Sequence, residues 1–166
     1  MSEMPDRQVI TNTSPLFYLH QIDRLMLLQA LYGCITVPIA VQRELQAGQF
    51  QGLSIPILEQ LDWVNLSSAT ARFLPNATDL GEGEAEVIAL GIENPGSLLI
   101  LDDGLGRRIA NLYNLTYTGT LGVIIRAKEL GHLDQVQPTI QLLQDQGMWL
   151  SQSVIATILR LAGELP

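Results

Sequence analysis

The sequence predicts an α/β fold, a mostly parallel sheet with helices on both faces. Three observations lead there. Strand-like and helix-like segments alternate through most of the 166 residues, which is the pattern of successive βαβ units. The run Leu98-Leu99-Ile100-Leu101 is continuously apolar, as in strands buried on both faces. Strand-like runs end in polar or acidic clusters at Asn12 and Asp102-Asp103, and another leads on to Glu44. In open α/β sheets, ligands bind beyond the carboxyl ends of the strands.

The elements follow in order. Val9-Ile10-Thr11 is a short strand, and Pro15 opens a helix through about His20, since proline suits the first helical turn. Asp23 is the expected N-cap of a helix from Arg24 to Tyr32, with Leu25, Leu28 and Leu31 at helical spacing and Gly33 as its stop. Cys34 to Val37 is apolar and β-branched, hence a strand. Pro38 starts the next helix and Gly48 closes it. Leu53 to Leu61 reads as a short helical excursion broken at Pro56, Trp63 to Leu66 as a strand, and Ser67 to Asp79 as loop. Glu84 to Gly91 is a helix, Ser97 to Leu101 a strand, Arg107 to Tyr113 a helix and Thr116 to Thr118 a strand. Thr120 is the expected cap of a helix to Leu130, ended by Gly131. Pro138 to Gln146 is helical, and Ser151 caps a last helix from Val154 to Ala162.

Composition narrows the function. One domain with a real core fits this length, and apolar residues at 47% exclude a disordered chain. The start carries no basic region, and no run approaches about 18 uncharged apolar residues, so a soluble cytoplasmic protein with no membrane partner is expected. Cys34 is the single cysteine; no disulfide can form within the chain, and a small buried hydrophobe is its expected role. Nine Lys and Arg against 17 Asp and Glu give a net charge of −8. That argues against broad duplex binding through many cationic phosphate contacts, but leaves room for a nucleic acid held by a metal and a few local cations. Arg107, Arg108, Arg126 and Lys128 form a partial basic cluster.

The acidic clusters carry the chemistry. Like charges gathered within a few ångströms repel, and desolvation adds to the cost; a divalent cation removes it. Asn12 reads as an ordinary turn residue and N-cap, or as an amide oxygen for a hard cation, with Thr13 or Ser14 bonding a neighbouring carboxylate or water. Glu44 lies at the edge of an apolar helical stripe, as a solvated residue or one that projects to the rim. Glu82, Glu84 and Glu86 surround a helix start, where the dipole favours acids; three exceed what capping needs, and Glu84 is the candidate ligand. Asp102 and Asp103 end a buried strand, and two adjacent acids there mark a cation or phosphate-chemistry site. Carboxylate oxygens without nearby His or Cys suit Mg²⁺ or Mn²⁺ better than zinc. Such an ion activates water and stabilises charge on a phosphoryl oxygen.

At these residues the chain resembles the PIN-domain family, in the branch related to VapC-type toxin ribonucleases. The carrying motifs are Asn12-Thr13-Ser14-Pro15-Leu16, Val37-Pro38 through Glu44-Leu45, Leu80-Gly81-Glu82-Gly83-Glu84-Ala85-Glu86 through Leu90, Leu99 through Asp103 to Arg107-Arg108-Ile109-Ala110, and Gly119-Thr120-Leu121-Gly122-Val123. Each is short, but the five stand in the family's order over most of the chain. The resemblance implies a single three-layer α/β/α sandwich spanning residues 1–166. It also implies Mg²⁺- or Mn²⁺-dependent hydrolysis of RNA phosphodiesters by activated water, a homodimer, and a small antitoxin partner that blocks the acidic cleft. It maps the metal-binding and catalytic positions to Asn12, Glu44, Glu84 and Asp102 or Asp103. Thr13 and Ser14 match the hydroxyl-bearing turn after the first ligand. Asn12 is the departure, because active family members usually carry aspartate there; the related branch often shows Asn-Thr-Ser-Pro.

Arg107 and Arg108 follow the aspartates by about one helical turn, and either suits a phosphate contact as well as a solvated helix face. Thr120 precedes a helix N-terminus that would meet a phosphate or simply be capped. Other readings fall away. Ile109 occupies the third glycine position of a dinucleotide fingerprint after Gly104-Leu105-Gly106, no Walker A sequence is present, and His20 and His132 lack motif partners. Trp63 and Trp149 are expected as core or interface anchors. Two functions remain, a metal-dependent ribonuclease acting as a toxin and a catalytically weak module of the same fold that binds RNA or a protein.

Overall fold

The computed structural model describes residues 7–70 and 79–165. Five parallel strands make the sheet: β1 Val9–Thr11, β2 Ile35–Pro38, β3 Val64–Ser67, β4 Leu98–Ile100 and β5 Thr116–Thr118, in the order β3-β2-β1-β4-β5. The helices are α1 Thr13–Gln21, α2 Met26–Tyr32, α3 Ile39–Phe50, α4 Glu82–Glu93, α5 Gly104–Leu112, α6 Thr120–Glu129, α7 Gln137–Asp145 and α8 Gln152–Leu161, with a 3₁₀ turn at Leu58–Gln60. From β1 the chain moves outward to β2 and β3, then returns to β4 and β5 on the other side. Right-handed crossovers in opposite directions put helices on both faces, which gives the three-layer α/β architecture. Helix α6 packs on α1 and α2, and α4 on α3 and α5.

The inner strands β2, β1 and β4 are covered on both faces, whereas β3 and β5 are partly exposed edges. Every residue of β1 and β2 is buried, and Ile10, Ile35, Val37, Leu99, Ile100 and Leu101 are shielded almost completely from solvent. Each such side chain contributes about 1.5–3 kcal/mol on burial. The helices return Leu16, Leu19, Val41, Ile88 and Ile124 to the same core. The register aligns Thr11, Ile100 and Thr118. Asn12 then donates its backbone N–H to Ile100 O at 3.0 Å, and Leu101 donates to Thr118 O at 2.8 Å. The residues after β1, β4 and β5 therefore emerge side by side at the switch point.

Several boundaries differ from expectation. Asp23 is not a helix cap; it has a φ of +56° and belongs to the turn between α1 and α2, and Leu25 occupies the N-cap position. Gly48 lies inside α3, which continues to Phe50; the left-handed turn that follows the helix falls at Gly52, at φ +87°. Cys34 is exposed: Gly33, at φ +75°, turns the chain just before it, and β2 begins only at Ile35. Pairing with Pro38 carries β3 through Ser67, which is not loop. The remainder of the expected loop, including Pro75, falls partly outside the described residues. Trp63 is buried in the core, whereas Trp149 is 84% exposed. The C-terminal segment is clasped by Glu164, whose carboxylate accepts from Lys128 Nζ at 2.9 Å, Val136 N–H at 2.7 Å and Gln137 N–H at 3.1 Å.

Candidate active site

Asn12 leaves β1 in an extended conformation at the N-cap of α1, yet its side chain makes no cap hydrogen bond. The capping role expected of it is thus absent. It is 4% exposed. Its amide hydrogen-bonds the Glu84 carboxyl. An ionised carboxylate only accepts, so the NH₂ faces Glu84, and Asn12 Oδ1 is left buried without a partner. An orphan acceptor of this kind costs about 1–3 kcal/mol unless a ligand satisfies it.

Glu44, on α3, is held by two other helices. Its Oε1 accepts from the Gly83 backbone N–H at 2.9 Å, and its Oε2 accepts from the Thr13 hydroxyl. Thr13 is the first residue of α1 and Gly83 the second of α4, so the positive end of α4 faces this carboxylate. An added Cβ at Gly83 would lie 2.8 Å from both Glu44 carboxylate oxygens, so a larger residue there would displace this carboxylate.

Glu84 stands in the first turn of α4. Burial pushes its carboxyl above the ordinary 4.5, and the negative charges of Asp103 and Glu44 push it further, opposed by the Asn12 hydrogen bond. Three carboxylates contributed by α3, α4 and the end of β4 thus share one field. Glu82 is exposed at the helix start, and Glu86 accepts from the Ala40 N–H at 3.5 Å, near the start of α3.

The two aspartates after β4 divide their work. Asp102 gives both oxygens to Thr120, Oδ1 to its N–H at 2.8 Å and Oδ2 to its hydroxyl at 2.6 Å. Asp103 is the N-cap of α5 and accepts from Gly106 N–H at 2.9 Å; it is also the aspartate that acts on Glu84. Thr120 is not the cap of α6, because Gly119 holds that position and the threonine hydroxyl is spent on Asp102. Arg107 donates Nε to Leu101 O at 2.7 Å and lies over the Tyr117 ring at 5.2 Å. Ser14, Asp102 and Arg107 line a cleft of about 580 Å³. Arg108, one residue on, is exposed and stands outside that lining.

The donor set is hard oxygen throughout. Asn12 Oδ1, Glu44, Glu84 and Asp103 suit a divalent cation of the Mg²⁺ or Mn²⁺ type, and the orphan Oδ1 together with the crowded charge on Glu84 fits one. Among the described residues, no three His, Cys, Asp or Glu side chains are gathered closely enough to hold an ion by themselves. Glu44 and the aspartates are instead engaged with hydrogen-bond donors of the protein. Sequence reasoning missed the Gly83 cradle and the ring of Tyr117 beneath Arg107. A glycine inside the first turn of a helix costs stability, and that was the available signal for Gly83; Tyr117 offered none.

A parallel sheet with oxygen-bearing side chains at its switch point defines the class, a three-layer α/β protein. Residues 8–164 match the family model described as PIN domain, and the chain belongs to the PIN-domain family. Proteins of this family are generally nucleases and typically use divalent metals. No curated protein and no solved structure matches the chain. Among the described residues, no helix is long and apolar enough to cross a membrane.

Proposed function

We propose that this protein is a Mg²⁺- or Mn²⁺-dependent endoribonuclease, acting as the VapC-like toxin of a toxin–antitoxin pair. The observation that carries the nuclease reading is the shared field of Glu44, Glu84 and Asp103 around the unpartnered Asn12 Oδ1. Asn12, Glu44, Glu84 and Asp103 would hold the cation, with Asp102 beside them. Once bound, the cation would offset their repulsion, lower the pKa of an attacking water and stabilise charge on the phosphoryl oxygens.

The protein's own groups do the rest. Thr13 and Gly83 orient the Glu44 carboxylate. Burial and the nearby carboxylates raise the Glu84 carboxyl above its ordinary value, so it takes up a proton more readily than a free glutamate. Arg107, which lines the cleft, would make the phosphate contact in preference to Arg108, which stands outside that lining. The toxin role, the antitoxin and the homodimer rest on the family likeness.

A second reading is favoured by one specific feature. Asn12 brings no charge, and no ready-made acidic triad stands among the described residues, as in a weakly catalytic module that binds RNA or a protein. Cleavage of a labelled RNA separates the two. The enzyme cuts with Mn²⁺ or Mg²⁺, stops with EDTA, and loses about 10²-fold or more in rate in Glu44→Gln. RNA binding without cleavage at any metal concentration supports the binding module.

A further inference from the structure

The cleft beside the acidic cluster contains features that hydrolysis alone does not use. It runs from Asp102 and Ser14, past Arg107 and Tyr117, to Trp149 and the apolar face of α8 at Val154 and Ile158. Arg107 is fixed within it. Its Nε is tied to Leu101 O, and its guanidinium lies over Tyr117. Gly119 is kept bare beside it, since an added Cβ would fall 2.2 Å from Arg107 Nη2 and 2.6 Å from Asp102 Oδ1. Among the described residues Arg107 forms no ion pair, and its side-chain hydrogen bond uses Nε alone. The two Nη groups are therefore left for a ligand. The same lining includes Trp149, 84% exposed, an indole held in water with no core to fill.

Building on the ribonuclease reading, we infer that this cleft is a nucleotide subsite, which takes the single-stranded RNA nucleotide next to the scissile phosphodiester with Arg107 on its phosphate and Trp149 against its base. Three features favour this occupant. A planar guanidinium with free donors matches a phosphate bidentately. A solvent-facing indole beside apolar walls offers a stacking surface that every base can use. Asp102 lines the same cleft and follows directly from β4 with Asp103, so a nucleotide here is continuous with the reacting phosphate. The arrangement also reconciles RNA binding with a net charge of −8: one placed cation and one ring replace a broad basic surface. It predicts a preference for single strands, since a paired base cannot reach the indole.

The test is RNA binding by the full chain in EDTA, where no cleavage can occur, with a fluorescein-labelled unstructured hexanucleotide. Wild type binds and its tryptophan emission is quenched, a signal from Trp149 because Trp63 is buried. Trp149→Ala, at an exposed position, binds about tenfold more weakly and Trp149→Phe close to wild type. Arg107→Ala binds about tenfold more weakly, and the slope of log Kd against log salt falls by about 0.7, as for one lost single-strand phosphate contact; Arg107→Lys recovers the slope. RNA binding that ignores Trp149→Ala and leaves the emission unchanged overturns the subsite, as it does if a polypeptide is the natural occupant. The same variants are assayed for cleavage with Mn²⁺. Cleavage with unchanged KM in Trp149→Ala overturns the subsite and leaves the nuclease standing. Binding that depends on both residues without any cleavage upholds the subsite and overturns the nuclease.

Discussion

Asp102 and Thr120 are joined twice, backbone N–H to Oδ1 and hydroxyl to Oδ2. The pair links the end of β4 to the start of α6 and closes the switch-point edge of the sheet. Thr120 is fully buried, so its hydroxyl has no water to fall back on. Thr120→Val keeps the shape and removes the donor to a carboxylate. A loss of about 1–3 kcal/mol is expected in urea unfolding, with Thr120→Ser close to wild type. An unchanged midpoint in the valine variant would show that the hydroxyl contact carries no stability.

Gly83 leaves room for Glu44, and substitution there separates stability from activity. In a helix, Ala is favoured over Gly by about 1 kcal/mol, but the new Cβ would meet both Glu44 oxygens at 2.8 Å. Glu44 is exposed and its tip can swing away. Gly83→Ala is therefore expected to unfold within about 1 kcal/mol of wild type while losing most metal-dependent cleavage. Gly104→Ala, whose Cβ meets nothing within 4 Å, is the control and retains activity. Equal activity in the two variants would count against Glu44 as a site residue.

Glu84 makes the metal-free protein sensitive to pH in a definite direction. Its folded carboxyl titrates above the ordinary 4.5, first through burial and then through Asp103 and Glu44. Below 4.5 the group is protonated in both states and costs nothing. As pH rises toward the raised value, the unfolded chain gives up the proton first, and the folded protein loses stability. Glu84→Gln cannot ionise. In EDTA it should melt higher than wild type at neutral pH, with the gap closing as pH falls to about 4.5. With saturating Mn²⁺ the order should reverse. A gap independent of pH would mean that Glu84 is not crowded.

Much of this was legible in the sequence, for reasons that differ by residue. The apolar, β-branched runs at β1, β2 and β4 are local signals, and they carried the parallel sheet. Asn12 and the aspartate pair follow directly from such strands, whereas Glu44 and Glu84 stand on helices and only the fold brings them to the same edge. The division between Asp102 and Asp103 was not legible, because it depends on Thr120 arriving from another element and on the register that aligns Ile100 with Thr118. Trp63 and Trp149 divide for a related reason: residue type allows a core or an interface anchor, and only tertiary packing puts Trp63 inside and leaves Trp149 outside. Cys34 and Asp23 turned on backbone geometry, which residue type alone constrains weakly.

Asn12 is where the charge of the site can be changed by one atom type. In the wild type its NH₂ serves Glu84 and its Oδ1 is orphaned. Asn12→Asp replaces that donor with a second acceptor at a position 4% exposed, so Glu84 loses a hydrogen bond and gains a repelling neighbour. The metal-free variant should melt lower than wild type. Titration with Mn²⁺ should then raise its Tm more steeply, because a ligand bound only by the folded state stabilises by RT ln(1 + [L]/Kd). The added charge is expected to tighten the apparent Kd about tenfold, near 1.4 kcal/mol, and to increase the cleavage rate. Asn12→Ala removes donor and orphan together and should bind Mn²⁺ more weakly than wild type. If all three proteins show the same Mn²⁺ dependence of Tm, Asn12 Oδ1 lies outside the coordination sphere, and the acidic field around it has another purpose.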